Sequence, residues 1–351
     1  MRALVTGAGG FLGKALARRL VERGDEVLSF SRGTHRELER LGVRHVTGDL
    51  GNEVDIRTAM KDCDVVFHVA AKADPWGRYE EYFQTNVIGT RNVVEGCKAM
   101  RVPRLVYTSS PCVVFNGRSL NGVDESAPYG VRSTSGYQTT KTMAERLVLA
   151  SNCDTLSTVA LRPHLIWGPG DNHLIPRIVA RARKGQLRIV GTGTNIVDHV
   201  FVDNAAQAHV QAAVRLAPGC AVAGKAYFIS NGEPRAIEVL INGFLAVYDL
   251  PPVRRHVAAE LGYLGGWLLE KFYRALGLKG EPLVTRFLAR ELSTAHWFNI
   301  SAARRDFGYE PAISLEEGLE LLRASLAQPA VQRPLRQERS LARFLRRGRM
   351  D

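Results

Sequence analysis

Residues 1–13 read MRALVTGAGGFLG, and the assignment of the fold turns on them. Arg2-Ala3-Leu4-Val5-Thr6 is a short apolar run of the kind that forms a buried parallel strand. Gly7-Ala8-Gly9-Gly10-Phe11-Leu12-Gly13 follows at once, and residues 14–23 then carry a helical pattern. A strand, a glycine turn and a helix in that order can cradle a phosphate. Gly7 permits the sharp turn, Gly10 lets backbone N–H groups approach a pyrophosphate, and Gly13 lets helix and strand pack closely. Glycines also gather in ordinary turns, so the G-x-x-G-x-x-G spacing takes its weight from following a strand directly.

Outward from that turn, the first half of the chain alternates strand and helix patterns, as a doubly wound parallel α/β sheet does. Strands are expected at 26–32, 44–46, 64–71, 104–110 and 158–162. After Pro163 the rhythm changes: 167–172 reads as a loop and 175–184 as an arginine-rich helix. Strands at 197–202 and 227–230 flank a helix over 204–216 that is expected to pack back on the large sheet. The expected division is a dinucleotide-binding domain at 1–165, to which 197–229 returns, a smaller and mainly helical substrate lobe at 166–330, and a basic tail at 331–351. Within the lobe, 261–276 places Tyr263, Leu264, Trp267, Leu268, Phe272 and Leu276 on one side of a helix. Such a stripe is expected to be core rather than a membrane anchor.

Composition narrows the class. With 351 residues, 45% apolar and 23% charged, the chain can bury a sizeable core and has the balance of a soluble globular protein. Its five cysteines lie apart with no C-x-x-C pair, which signals neither a metal site nor a disulfide framework and fits a reducing compartment. No leader pattern and no apolar stretch of membrane-spanning length is read, so a cytoplasmic location is expected. The net charge is +12, and seven arginines against one glutamate between Gln332 and Arg349 place +6 of it in the tail. Nucleic acid is therefore not an expected partner. Leu335, Leu341, Phe344 and Leu345, interleaved with those arginines, suit docking to an acidic protein partner or a membrane surface, or else a solvated end.

The chemistry gathers at Tyr137 and Lys141. Four residues apart in a predicted helix, their side chains share one face, and a lysine ammonium there is expected to lower the phenol's pKa so that Tyr137 can exchange a proton nearer neutrality. Ser110, closing the fifth strand, would aim its hydroxyl into the same crevice, where a serine and a tyrosine can bracket one carbonyl oxygen as hydride arrives at carbon. The second strand ends in Ser29-Phe30-Ser31-Arg32, with no acidic residue to take the adenosine ribose. Arg32 suits a 2′-phosphate, so NADP(H) is the expected cofactor. Lys72 emerges just past the fourth strand, where a point charge could hold a substrate carboxylate, with His164, His173 and Arg177 as rival contacts.

These motifs together resemble the extended short-chain dehydrogenase/reductases. The glycine turn, Gly48-Asp49-Leu50, His68-Val69-Ala70-Ala71, Asn86-Val87-Ile88-Gly89-Thr90, Thr108-Ser109-Ser110, the Tyr137/Lys141 pair, Arg162-Pro163 and Gly168-Pro169-Gly170-Asp171 occur in that family's order across nearly all of residues 1–325. Among its branches the 3β-hydroxysteroid dehydrogenase-like one is most similar. Segments 161–177, 204–209, 224–234 and 304–311 resemble a subfamily of bacterial 2-alkyl-3-oxoalkanoate reductases of long-chain olefin biosynthesis. The resemblance implies a Rossmann-like fold and a catalytic set of Ser110, Tyr137 and Lys141. It implies cofactor contacts from Gly7, Gly10, Phe11, Leu12, Gly13, Arg32, Asp49, Leu50, Ala70, Tyr137 and Lys141, with Asn86 in a proton-relay region. The activity expected is NADPH-dependent reduction of a long-chain β-keto acid, a small lipid-like substrate, by a homodimer. A 3β-hydroxysteroid or sterol-4-carboxylate decarboxylating dehydrogenase is the alternative. A non-catalytic NADP-sensing protein and a nucleotide-sugar epimerase share the fold.

Overall fold

The computed structural model describes residues 1–131, 133, 135–278 and 280–327, and the basic tail expected at 331–351 lies outside the described residues. Seven strands make the main sheet: β1 (Arg2–Thr6), β2 (Glu26–Ser31), β3 (Arg44–Thr47), β4 (Val65–His68), β5 (Arg104–Thr108), β6 (Ser157–Pro163) and β7 (Lys225–Ile229). Their spatial order is β7-β6-β5-β4-β1-β2-β3, and every pairing is parallel. This is a Rossmann-like doubly wound sheet. The apolar runs of β1, β4, β5 and β6 are buried along almost their whole length because helices cover both faces. Strand order reverses between β1 and β4, so the crevice opens at the carboxyl ends of those two strands, beside the glycine turn.

Two strand expectations, 64–71 and 104–110, end early. β4 stops at His68 and β5 at Thr108, because the chain beyond each turns away to line the crevice. Residues 197–202, expected as one strand, are two. Ile196–Val197 pairs with Arg235–Ala236 and with His296–Phe298 in a four-stranded sheet completed by Leu120–Val123, whereas Val200–Phe201 pairs with Ile166–Trp167. The break falls at Asp198, whose carboxylate accepts the Phe298 N–H at 2.8 Å and so ends one ladder where the next begins.

Behind the crevice, helix Gly136–Ala150 is fixed to β6 by a buried ion pair, in which Arg162 donates to both carboxylate oxygens of Glu145 at 3.0 and 2.6 Å. Removing one partner of such a pair costs about 3–5 kcal/mol, which makes it a strong constraint on where that helix sits. On the lobe side, Trp167 packs edge-on to Phe201 and against Phe244, with ring centroids 5.3 and 5.0 Å away. The stripe expected to be core is not. On helix Ala259–Ala275, glycines and a glutamate turn inward while Leu264, Leu268 and Phe272 are more than half exposed.

Candidate active site

The glycine turn behaves as its spacing requires. Gly7 has φ +71°, and a Cβ there would lie 2.7 Å from Ala70 Cα. A Cβ on Gly13 would fall 2.2 Å from the Gly7 carbonyl oxygen, so helix Phe11–Glu22 can approach β1 only because that position is bare. The helix starts at Gly10 with no side-chain cap and no acidic residue in its first turn, which leaves backbone N–H groups at its positive end free for an anion. Gly9 has a role that the spacing did not reveal. The His35 ring lies against it, and a Cβ there would be 1.9 Å from His35 Nε2.

A cavity of about 1130 Å³ runs from this turn across the sheet edge to the lobe. The residues singled out for cofactor, catalysis and substrate line it, namely Gly7, Gly10, Phe11, Leu12, Gly13, Arg32, Asp49, Leu50, Ala70, Lys72, Ser110, Tyr137, Lys141, His164, His173 and Arg177, whereas Asn86, expected in a proton-relay region, lies behind the wall. At the nucleotide end, Arg32 is exposed and stands 4.0 Å from Asp49, with no carboxylate at the close of β2. Bare glycines and an uncapped helix end fit the pyrophosphate of a dinucleotide.

At the centre, Ser110 caps the short 3₁₀ turn Pro111–Val114. Its Oγ accepts the Cys112 N–H at 3.3 Å, so the serine's own hydrogen is available to donate into the cavity. Tyr137 sits in the first turn of helix Gly136–Ala150. Burial pushes its phenol well above the ordinary range, Cys112 adds to the rise, and the Ser110 hydroxyl pulls against it. The shift therefore runs opposite to the lowering expected from lysine, with burial as its largest cause. Lys141 is buried one turn on. Its Nζ donates to the Thr108 carbonyl at 2.5 Å and lies 4.2 Å from the centre of the Tyr107 ring. Burial draws it down to about 8, against opposing pulls from Cys112 and Glu145.

Toward the lobe, Lys72 is already paired, with Glu81 at 3.0 Å and Asp74 at 3.4 Å. Burial works against its charge, but those carboxylates outweigh it and raise its pKa. Asn86 holds the same loop, accepting the Lys72 N–H at 2.8 Å and donating to the Lys72 carbonyl and to Thr140 in the helix of Tyr137. His164 is buried against His296 and Phe298, and burial holds it neutral. His173 is exposed at the start of helix Leu174–Arg183, where Asp171 accepts its N–H at 2.7 Å. His68 lies off the cavity, fully buried between Thr6 and Thr90 and drawn down to about 3 by burial. One wall residue carried no sequence cue. Glu291, on helix Arg286–Ser293, faces the cavity near Tyr137, and burial raises its carboxyl to about 7. Among the described residues, no group of three or more His, Cys, Asp or Glu is placed to hold a metal ion, and no helix is long and apolar enough to cross a membrane.

Comparison with known proteins shows the family and the fold. The family model described as 3-beta hydroxysteroid dehydrogenase/isomerase matches residues 4–255. A 2-alkyl-3-oxoalkanoate reductase of Stenotrophomonas maltophilia is 50% identical over 329 residues, which cover 93% of this chain and 100% of that one. A decarboxylating sterol-4-alpha-carboxylate 3-dehydrogenase of Mus musculus is 32% identical, covering 91% and 89%. Among solved structures, MoeE5 in complex with UDP-glucose and NAD shares the fold, with a TM-score of 0.72 over 93% of this chain and 98% of that one at 24% identity.

Proposed function

The chain belongs to the 3-beta hydroxysteroid dehydrogenase/isomerase family, a family of NAD(P)-dependent oxidoreductases, and we propose that it reduces a long-chain 2-alkyl-3-oxoalkanoate to the 3-hydroxy acid with NADPH, as a step of olefin formation. The observation that carries this reading is the continuity of the cavity. The cavity joins an uncapped helix end and Arg32 on one side to Ser110, Tyr137 and Lys141 in the middle, and continues into the lobe.

Gly7, Gly10 and Gly13 would hold the pyrophosphate through backbone N–H groups, and Arg32 the 2′-phosphate. The reduced nicotinamide, when bound, supplies the hydride. Tyr137, whose raised pKa keeps the phenol protonated at neutral pH, donates its proton to the ketone oxygen as the hydroxyl forms. Ser110 donates a hydrogen bond to that same oxygen and stabilises the charge growing on it. Lys141 adds a positive charge from beneath, held by the Thr108 carbonyl so that it cannot swing away. A carboxylate beside the ketone would meet Lys72, His173 or Arg177. At Lys72 it must compete with Glu81 and Asp74, and at Arg177 with Glu281, 2.9 Å away.

The test is an initial-rate comparison of NADPH and NADH with a long-chain 2-alkyl-3-oxo acid, its methyl ester and a 3-keto steroid. NADPH with the free acid should give the highest kcat/KM. A preference for NADH contradicts the role of Arg32, and a preference for the steroid moves the chain to the sterol-type activity of the mouse relative.

A further inference from the structure

Helix Ala259–Ala275 is built with its apolar side outward. Its buried positions are Gly262, Gly266 and Glu270, spaced four apart on one face. A Cβ on Gly266 would lie 2.7 Å from the backbone at Thr285 and Arg286, and one on Gly262 would lie 2.9 Å from Val190. Glu270 accepts the Arg286 N–H at 2.7 Å and pairs with its guanidinium at 2.8 Å. Small residues and one satisfied carboxylate therefore fasten the helix to the lobe. The opposite face shows Leu261, Leu264, Leu268 and Phe272 at 63, 51, 54 and 55% exposure, and Leu276 continues the row at 58%. Positions 261, 264, 268, 272 and 276 are three or four apart, which makes one continuous stripe rather than scattered surface leucines.

The surroundings of the stripe indicate its occupant. Between 254 and 278 the exposed charges are Arg254, Arg255, Lys271 and Arg274 against Glu260 alone. Lys271 lies 4.2 Å from the centre of the Trp267 ring, and Arg274 lies 5.2 Å from that of Trp76. Half-buried Tyr263, Trp267 and Tyr273 sit on the same helix beside the leucines. An apolar face, flanking aromatic rings and a cationic border are the features of a helix lying in a lipid headgroup layer. The position of the stripe has a consequence too. Trp76 meets Tyr273 edge-on at 6.4 Å, just past the Lys72–Asp74 wall of the cavity, and Glu281 bonds the cavity residue Arg177.

We propose that this helix docks on an anionic lipid surface, leucine face inward, and holds the substrate mouth of the cavity against the bilayer. The inference does not rest on the substrate assigned above. Vesicle flotation reads binding without turnover, so its failure leaves the proposed reaction untouched. The full chain should float with vesicles of phosphatidylglycerol and phosphatidylcholine and partition at least tenfold less onto phosphatidylcholine alone. L264E/L268E/F272E should lose at least tenfold in partition on the anionic vesicles, and K271A/R274A should lose several-fold, each keeping the wild-type thermal midpoint within a few degrees. Failure of the wild type to float overturns the proposal. So does a leucine variant that floats as well as wild type, which would assign binding to another surface. A leucine variant that turns a dimer into a monomer in sedimentation without changing flotation assigns the stripe to a second copy of the chain, and also overturns it.

Discussion

Lys141 and Lys72 open onto one cavity, yet the chain holds them in opposite ways. Lys141 is buried, donates to a backbone carbonyl, and is drawn down to about 8 by burial. Lys72 is partly solvated, gripped by Glu81 and Asp74, and has its pKa raised. The difference separates a charge kept available from one already compensated. A carbonyl dipole positions an ammonium without cancelling it, so Lys141 can still act on a developing oxyanion. Two carboxylates leave Lys72 little field to offer a third.

The largest effect should come from Lys141. Lys141→Met should lower kcat about 1000-fold, within the span of proton-transfer catalysis. The pH profile sharpens the point. With its pKa lowered to about 8, Lys141 carries its charge below pH 8 and loses it as the pH rises through that value. Wild-type activity should therefore fall on the alkaline side near pH 8, and the residual activity of the variant should lack that limb. An unchanged limb would mean that Lys141 is not the group titrating.

A smaller effect is expected at the far end of the cavity, where Arg32 stands exposed. Arg32→Asp should cost NADPH about tenfold in kcat/KM while NADH gains or holds, as expected for one charge-assisted contact to a phosphate. Equal losses for both cofactors would show that Arg32 does not read the 2′-phosphate. The smallest effect is expected at Lys72. Because exposed ion pairs contribute only about 0–1 kcal/mol, Lys72→Ala should change kcat/KM for the keto acid by about threefold or less. A loss of a hundredfold for the acid, with the methyl ester spared, would break the comparison and make Lys72 the carboxylate contact.

How far the sequence could be read depended on the range of the interaction. The glycine turn and the Tyr137/Lys141 pair are legible because each is a spacing within a few residues, and a strand or helix converts that spacing into geometry. His35 on Gly9 and Glu291 beside Tyr137 are not, since long-range packing brings them there. The direction of the Tyr137 shift was missed for a related reason. A neighbouring lysine is visible in the sequence, but the burial that raises the phenol is not. The leucine stripe misled for a third reason. Helical periodicity identifies an apolar face but not which face the rest of the chain covers, and here Gly262 and Gly266 allowed the other side to be buried.

The central claim is that one phenol delivers the proton in a ketone reduction. It is tested most directly by single-turnover NADPH oxidation with saturating 2-alkyl-3-oxo acid in wild type and Tyr137→Phe, with NADPH affinity measured alongside by fluorescence. The variant should bind NADPH within a few-fold of wild type and reduce the ketone at least about 100-fold more slowly. Wild-type rates in the variant, with product formed in equal amount, would contradict the account.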